Sequence, residues 1–243
     1  MENIKVDVII PAYHPGKEFS ALIDCLVKQT IPVHRIIVMN TEKAFWNPEL
    51  ENRYSLLEVH HLKKQEFDHG KTRAIAAELS DAEVMVFMTQ DAMPSDQKLL
   101  ENLVKALMQN TDIGAAYARQ LPNAECSFVE RYTRSFNYPD QSVVKTKKDL
   151  PVYGIKTFFC SNVCAAYKKD IYQKMGGFIR KAIFNEDMIY AGRLIQEGYG
   201  IAYAADAKVI HSHNYSCMQQ FHRNFDLGVS QAEHPEIFEG IPS

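Results

Sequence analysis

The sequence lacks most features of a membrane, secreted or nucleic-acid-binding protein. No apolar run approaches the ~20 residues that cross a bilayer. The opening Met1-Glu2-Asn3-Ile4-Lys5 has no charged-then-apolar leader and runs straight toward a short strand. A basic excess is missing too: 27 Lys and Arg against 30 Asp and Glu give a net charge of −3, which argues against a general nucleic-acid binder. Cysteine is sparse. Cys25, Cys126, Cys160, Cys164 and Cys217 are odd in number and irregularly spaced, so they read as reduced cytosolic thiols, several of them in the core. Cys160 and Cys164 have no matching second pair for zinc. No glycine-rich phosphate loop follows the first strand, where Ala12-Tyr13-His14-Pro15-Gly16 stands instead. Repeats, low-complexity tracts and dividing linkers are absent.

What is present reads as a globular α/β chain. Its 46% hydrophobic and 23% charged residues are ordinary for a packed core of this size. Residues 6–11 form a buried strand broken by Pro11. Phe19, Leu22, Ile23, Leu26 and Val27 then recur at helical spacing, and 36–39 is a second strand. This order calls for a parallel pair with a right-handed crossover. Residues 40–52, with Trp46 and Pro48, read as a loop at the ligand edge. A third strand is expected over 56–60, helices over 70–79 and 98–108, and a strand over 84–88. In the second half a strand covers 113–119. Residues 121–150 read as irregular, although Phe128, Tyr132, Phe136 and Tyr138 argue for partial order. Residues 156–167 look β-like and 175–178 a turn. A helix over 185–197 ends at Gly198, one or two strands cover 201–210, and a last helix covers 215–230.

Four stretches carry candidate chemistry. The run Val84-Met85-Val86-Phe87-Met88 has no polar alternation and reads as a strand buried on both faces. Asp91 emerges where it ends, at the sheet edge where α/β proteins bind ligands. A lone carboxylate there suits a divalent cation carrying a phosphorylated ligand; the alternative is a surface Asp opening a turn before Pro94. In Asp68-His69-Gly70-Lys71-Thr72-Arg73, Asp68 or Thr72 is a candidate cap. Lys71 and Arg73 oppose the helix dipole, which an anionic ligand would resolve; otherwise both reach back to Glu66, Asp68 or solvent. Asn185-Glu186-Asp187 opens a helix, where acids are favoured for stability alone. A carboxylate at that position stays ionised and can take a proton from an attacking hydroxyl. In His211-Ser212-His213, alternation puts both imidazoles on one side if the strand continues, as metal ligands or as ordinary histidines. Cys217 is a further candidate for a zinc site with them.

Taken in order, these pieces resemble the family 2 glycosyltransferases, and within them the bacterial rhamnosyltransferases. The matching stretches are Val8-Ile9-Ile10-Pro11-Ala12-Tyr13, His69-Gly70-Lys71-Thr72-Arg73, Thr89-Gln90-Asp91-Ala92-Met93-Pro94, Arg119-Gln120-Leu121-Pro122, Phe136-Asn137-Tyr138-Pro139, Phe159-Cys160-Ser161-Asn162, Gly176-Gly177-Phe178, Glu186-Asp187 and His211-Ser212-His213-Asn214-Tyr215. The resemblance implies a GT-A fold: a Rossmann-like, mostly parallel sheet flanked by helices. One domain would span 1–243, with a nucleotide-sugar half over 1–112 and an acceptor half over 113–243. It implies an inverting transfer of a deoxyhexose, L-rhamnose from dTDP-L-rhamnose, to a hydroxyl of a growing cell-surface polysaccharide. Asp187 would be the base, with Glu186 beside it. A divalent cation, Mg²⁺ or Mn²⁺, would sit on Asp91 and His213. Donor contacts fall to Pro11, Ala12, Tyr13, Asn40, His69, Gly70, Lys71, Arg73, Gln90 and Asp91. Acceptor contacts fall to Arg119, Asn162 and Glu186, with Arg131 and Arg134 as further candidates.

Two departures stand out. Thr89 replaces the first Asp of an Asp-x-Asp motif, and Met39-Asn40 stands where many relatives carry an Asp for the nucleobase. The implied partners are a nucleotide-sugar donor and a glycan or lipid-linked glycan acceptor, with no nucleic acid. The implied location is cytoplasmic, with peripheral contact to the inner face of the plasma membrane left open. A catalytically silent sugar-nucleotide-binding protein and a nucleotidyltransferase are the other readings.

Overall fold

Residues 4–181 and 184–242 are described by a computed structural model; the opening Met1-Glu2-Asn3 and the final Ser243 lie outside them. The strands are β1 (Val6–Tyr13), β2 (Arg35–Thr41), β3 (Leu57–Leu62), β4 (Val84–Met88), β5 (Met93–Pro94), β6 (Ile113–Leu121), β7 (Val143–Lys145), β8 (Cys164–Lys168) and β9 (Gly200–Ile210). The helices are α1 (Lys17–Leu26), α2 (Glu49–Arg53), α3 (His69–Leu79), α4 (Leu99–Met108), α5 (Phe128–Asn137), α6 (Leu150–Tyr153), α7 (Lys169–Lys174), α8 (Glu186–Gln196), α9 (Cys217–Ala232) and α10 (Pro235–Phe238).

Alternation along the central strands sorts the core into two layers. In β4, Val84, Val86 and Met88 join one apolar cluster, while Met85 and Phe87 join the other. The first layer holds Phe19, Leu22, Ile23 and Leu26 of α1 with Leu99, Leu103 and Leu107 of α4. Ala74, Ala76 and Ala77 of α3, together with Met188, Ile189 and Leu194 of α8, belong to the second. A strand covered on both faces needs apolar residues at every position, which is why β4 has no polar alternation.

The strands run in the order β3-β2-β1-β4-β8-β6-β9-β5, with β7 also paired to β9. β3, β2, β1 and β4 are mutually parallel, as strand–helix alternation in the first half demands. The second half is mixed. β8 enters between β4 and β6 and runs antiparallel to both. It is fed from the carboxyl edge of β4, where the Thr89 N–H donates to the Val163 carbonyl (3.1 Å), so it must run back the other way. One sheet therefore carries both halves of the chain.

Several local expectations change. Pro11 does not break β1, which continues to Tyr13; pairing with β4 ends at Ile9, so Pro11 has only β2 as a neighbour. Residues 40–52 are not one open loop. Asn40 and Thr41 extend β2, residues 49–53 form α2, and Trp46 packs edge-on against Phe19. Residues 121–150 contain α5, whose cap Ser127 accepts from the Glu130 N–H (3.2 Å), and β7. Of 156–167, only the end is strand; residues 154–158 are a 3₁₀ turn. β9 is a single strand.

Gly70 sets how closely α3 approaches the chain entering α8. A Cβ there would lie 2.1 Å from the Ile179 carbonyl oxygen and 3.5 Å from the Glu186 Cβ. Gly70→Ala is therefore expected to destabilise the fold by about 1–3 kcal/mol, the usual cost of overpacking. A urea midpoint equal to that of the unsubstituted protein would refute this account of Gly70.

Candidate active site

The carboxyl edge of the sheet holds a cavity of about 520 Å³. Asp91 reaches it because β5 pairs with β9: Met93 lies opposite Ile210, and this two-residue ladder sets the turn after β4 beside the residues that follow β9. Asp91 Oδ1 lies 3.6 Å from His211 Nε2, and Oδ2 lies 3.5 Å from His213 Nε2. The two Nε2 atoms are 3.1 Å apart. One ligand atom from each residue falls within 4.8 Å of the others. Burial works to raise the Asp91 carboxyl, but His211 and His213 outweigh it and hold it well below its usual range. Burial and the neighbouring His211 push His213 down, so its imidazole stays neutral and keeps a lone pair to offer. One ionised carboxylate and two imidazoles suit a first-row divalent ion with open positions for a phosphorylated ligand. The resemblance puts the ion on Asp91 and His213; buried His211 stands in the same cluster. Exposed Cys217 is outside the cluster, and Cys160 and Cys164 are buried thiols pushed far up by desolvation.

The second acidic feature stands on α8. Glu186 is buried and pairs with Arg73 Nη1 at 3.1 Å. Burial works to raise the Glu186 carboxyl, yet Arg73 and the Asn162 amide (3.0 Å) hold it below its ordinary value. Asp187 accepts from the backbone N–H groups of Asn162 and Met188, both at 2.8 Å. Burial and the Glu186 carboxylate beside it nevertheless push Asp187 up, to about 7. The helix N-terminus favours an ionised carboxylate near neutral pH; desolvation and a like charge work against that. Asn185, at the N-cap position, makes no side-chain capping bond. Its backbone is left-handed (φ 76°), and its buried Nδ2 has no partner among the described residues.

The structure brings His69, Arg73, Asp91, Asn162, Glu186, Asp187 and His213 to the wall of one cavity. Several other candidates take different places. Arg73 is turned inward onto Glu186, and Lys71 is exposed and outside the cavity wall, so the two cations do not face one anion. Asn162 gives its amide to Glu186 and accepts from the Tyr167 hydroxyl (2.8 Å), so it braces the acids rather than projecting toward an acceptor. Arg119 donates to the Tyr138 carbonyl (3.2 Å) and Arg131 is exposed; of the three arginines only Arg134 lines the cavity. Ala12 lies opposite buried Asn40 in the β1–β2 register, beside Pro11 and Tyr13 at the same edge. Gln90 exchanges two 2.9 Å bonds with the Tyr13 backbone and so ties β1 to the Asp91 turn.

Sequence reasoning missed Gln120, Lys156, Gln220, Arg223 and Asn224, all of which line the cavity. Gln220, Arg223, Asn224, Leu227 and Gln231 recur at i, i+3, i+4, i+7 and i+11, one face of α9, and that spacing was readable. Lys156 belongs to a strap whose carbonyls at 156 and 159 accept from the buried Lys145 ammonium at 3.0 and 2.6 Å.

Residues 7–176 match the family model described as glycosyl transferase family 2. The O-antigen chain rhamnosyltransferase RfbN of Salmonella typhimurium is 37% identical over 235 residues, covering 96% of this chain and 74% of that protein. The O-antigen chain rhamnosyltransferase WbaN of Salmonella anatum is 35% identical over 232 residues, covering 95% and 73%. In fold the chain is similar to the mannosyltransferase PcManGT of Pyrobaculum calidifontis, solved with GDP-Man and Mn²⁺. The TM-score is 0.71 at 16% identity, over 96% of this chain and 65% of that one. It is also similar to TarS residues 1–349 of S. aureus (TM-score 0.68, 14% identity, 96% and 66% coverage). The sheet topology, the residue span of the family match and the likeness to two O-antigen enzymes agree. The fold is GT-A, and the chain belongs to glycosyl transferase family 2.

Proposed function

We propose that the chain is an inverting glycosyltransferase that moves a deoxyhexose, L-rhamnose from dTDP-L-rhamnose, to a hydroxyl of a growing cell-surface polysaccharide. One glycosyltransferase unit would span 1–243, with the donor held by 1–112 and the acceptor by 113–243. The observation that carries this reading is that Asp187 of α8 shares a cavity with Asp91, His211 and His213 from the strand ends. The two rhamnosyltransferase relatives support the choice of sugar.

Asp187 takes the proton from the acceptor hydroxyl as its oxygen attacks the anomeric carbon. Its two N–H contacts fix the carboxylate and leave lone pairs toward the cavity. Glu186, locked by Arg73, keeps Asp187 basic enough to act near neutral pH. Asp91, His211 and His213 would hold a divalent cation, and the two imidazoles favour Mn²⁺ over Mg²⁺. When bound, that ion supplies positive charge against the leaving diphosphate. Ala12, Tyr13 and Asn40 stand where the nucleoside would lie, and Arg134, Lys156 and Arg223 line the cavity on the acceptor side.

A lipid-linked acceptor at the cytoplasmic membrane face is part of the same proposal. Among the described residues no helix is long and apolar enough to cross a membrane. Phe128, Tyr132 and Phe136 of α5 and Met218, Phe221 and Phe225 of α9 are nevertheless exposed beside the cavity. Arg131, Lys156 and Arg223 are exposed near them against Asp226, a basic balance opposite in sign to the whole chain and complementary to anionic lipid.

Outcomes are expected for the base, the metal and the surface. Asp187→Asn should lower turnover roughly 10²–10⁴-fold, the usual worth of a positioned base, with donor binding retained. The unsubstituted enzyme should lose rate as pH falls through about 7, because Asp187 must be deprotonated to act. Glu186→Gln removes the like charge and should move that limb to lower pH. Near-native turnover in both variants would overturn the glycosyltransfer mechanism. For the metal, calorimetry should find the donor affinity measured in Mn²⁺ reduced by EDTA and in Asp91→Asn; equal affinity in all three conditions would exclude it. At the surface, Phe136→Ser combined with Phe225→Ser should abolish co-sedimentation with anionic vesicles and spare turnover on a soluble acceptor. Unchanged sedimentation would remove the membrane from the proposal.

A further inference from the structure

We infer that Arg134, acting through the side-chain amide of Gln120, fixes the neutral tautomer of His211 and thereby keeps its Nε2 open as a ligand. The inference rests on the cation reading above, and its argument is a chain of donors and acceptors. Arg134 Nη1 donates to Gln120 Oε1. A guanidinium offers only donors, so the Gln120 atom facing it must be the carbonyl oxygen. That assignment fixes the other end of the amide: Gln120 Nε2 donates to the Tyr138 hydroxyl (2.6 Å) and the Ser161 hydroxyl (3.1 Å).

The same Oε1 lies 3.0 Å from His211 Nδ1. An oxygen without a proton can meet that nitrogen favourably only if Nδ1 carries the hydrogen. An imidazole that ligates an ion carries a single proton, so Nε2, which faces Asp91 and His213, is then the nitrogen left for the ion. An amide turned by half a rotation would present its NH₂ to Nδ1. The proton would move to Nε2 and close the ligand position. Gln120 is 2% exposed, so bulk water does not compete for these contacts.

Arg134 is itself held from α5. Its Nε donates to Glu130 Oε1 (2.6 Å), and the same oxygen accepts the His213 backbone N–H (3.2 Å). The inward side of α5 thus grips both histidines, His213 through its backbone and His211 through Gln120. Gln120 and Arg134 are positioning residues, acting on the ion only through His211.

Two measurements on the full-length protein test this. Long-range ¹⁵N–¹H correlation spectra of the metal-free protein report which His211 nitrogen is protonated. The expected result is Nδ1–H in the unsubstituted protein, loss of that preference in Gln120→Leu and Arg134→Met, and its retention in Gln120→Glu, which keeps an acceptor oxygen. Titration with Mn²⁺ alone, followed by the paramagnetic resonance of the free ion, should give a Kd raised about 10–100-fold in Gln120→Leu and restored in Gln120→Glu. Finding the proton on Nε2 in the unsubstituted protein would overturn the inference, as would an unchanged tautomer and Kd in Gln120→Leu. If Gln120→Leu does not fold, Arg134→Met and the spectrum of the unsubstituted protein still decide. An unsubstituted protein that binds no Mn²⁺ would count against the cation reading, whereas the tautomer spectrum judges the relay by itself.

Discussion

Arg73 and Glu186 form a buried ion pair between α3 and α8, and most of the site depends on it. Each side chain is only 6% exposed, and the two come from opposite halves of the chain. Removing either partner would strand a charge away from water, which is far more costly than the pair is stabilising. Gly70 lets α3 come near enough for the contact, because its missing Cβ leaves room for the Ile179 carbonyl. Once Glu186 is held ionised, Asp187 must share a desolvated space with a fixed negative charge, and its carboxyl is driven up toward neutrality. A packing constraint at Gly70, a salt bridge at Arg73 and the basicity of Asp187 are thus consecutive links in one chain of cause.

Asp91 depends on a different constraint. Its position follows from backbone pairing, through Met93 opposite Ile210, and from the two bonds between Gln90 and Tyr13. Neither device involves α3 or α8. The Asp91, His211 and His213 cluster and the proposed base Asp187 are therefore built separately, one on strand ends and one on a helix start, and meet only across the cavity. Such a division suits a displacement in which the attacked and leaving sides of one carbon require groups of opposite character.

How much of this was legible in the sequence follows from how local each signal is. The β4 run and the amphipathic helices α1 and α4 were readable because a strand buried on both faces and a helix with one apolar face leave periodic marks. The closeness of His211 and His213 did not come from strand alternation, because β9 ends at Ile210 and the two histidines lie in the irregular segment after it. The partner of Arg73 was not readable, because the sequence shows a cation in a first helical turn and not the distant acid it meets. α5 escaped for a different reason: its polar residues Glu130 and Arg134 face inward and its aromatics face out, the reverse of an ordinary surface helix. Ser127 followed at the third position by Glu130 was the mark that a helix starts there. The direction of β8 had no local signal, since it depends on where the preceding strap leaves the sheet edge.

Desolvation acts on both sides of the cavity and pushes each affected group toward its neutral form, which decides how the site responds to acid. At Asp187 the shift is upward, to about 7; at His213 it is downward, from the ordinary 6.5. Asp91 and Glu186 stay ionised because each has partners that outweigh burial. As pH falls, Asp187 therefore takes up its proton before His213 does. Thr89 is relevant here: a second carboxylate at that position would draw protons onto the histidines and raise them. With a neutral Thr89, the His213 imidazole keeps its lone pair through the range in which Asp187 titrates. Under the proposed roles, an acid limb near neutrality then reports Asp187, and protonation of His213 belongs to a lower pH.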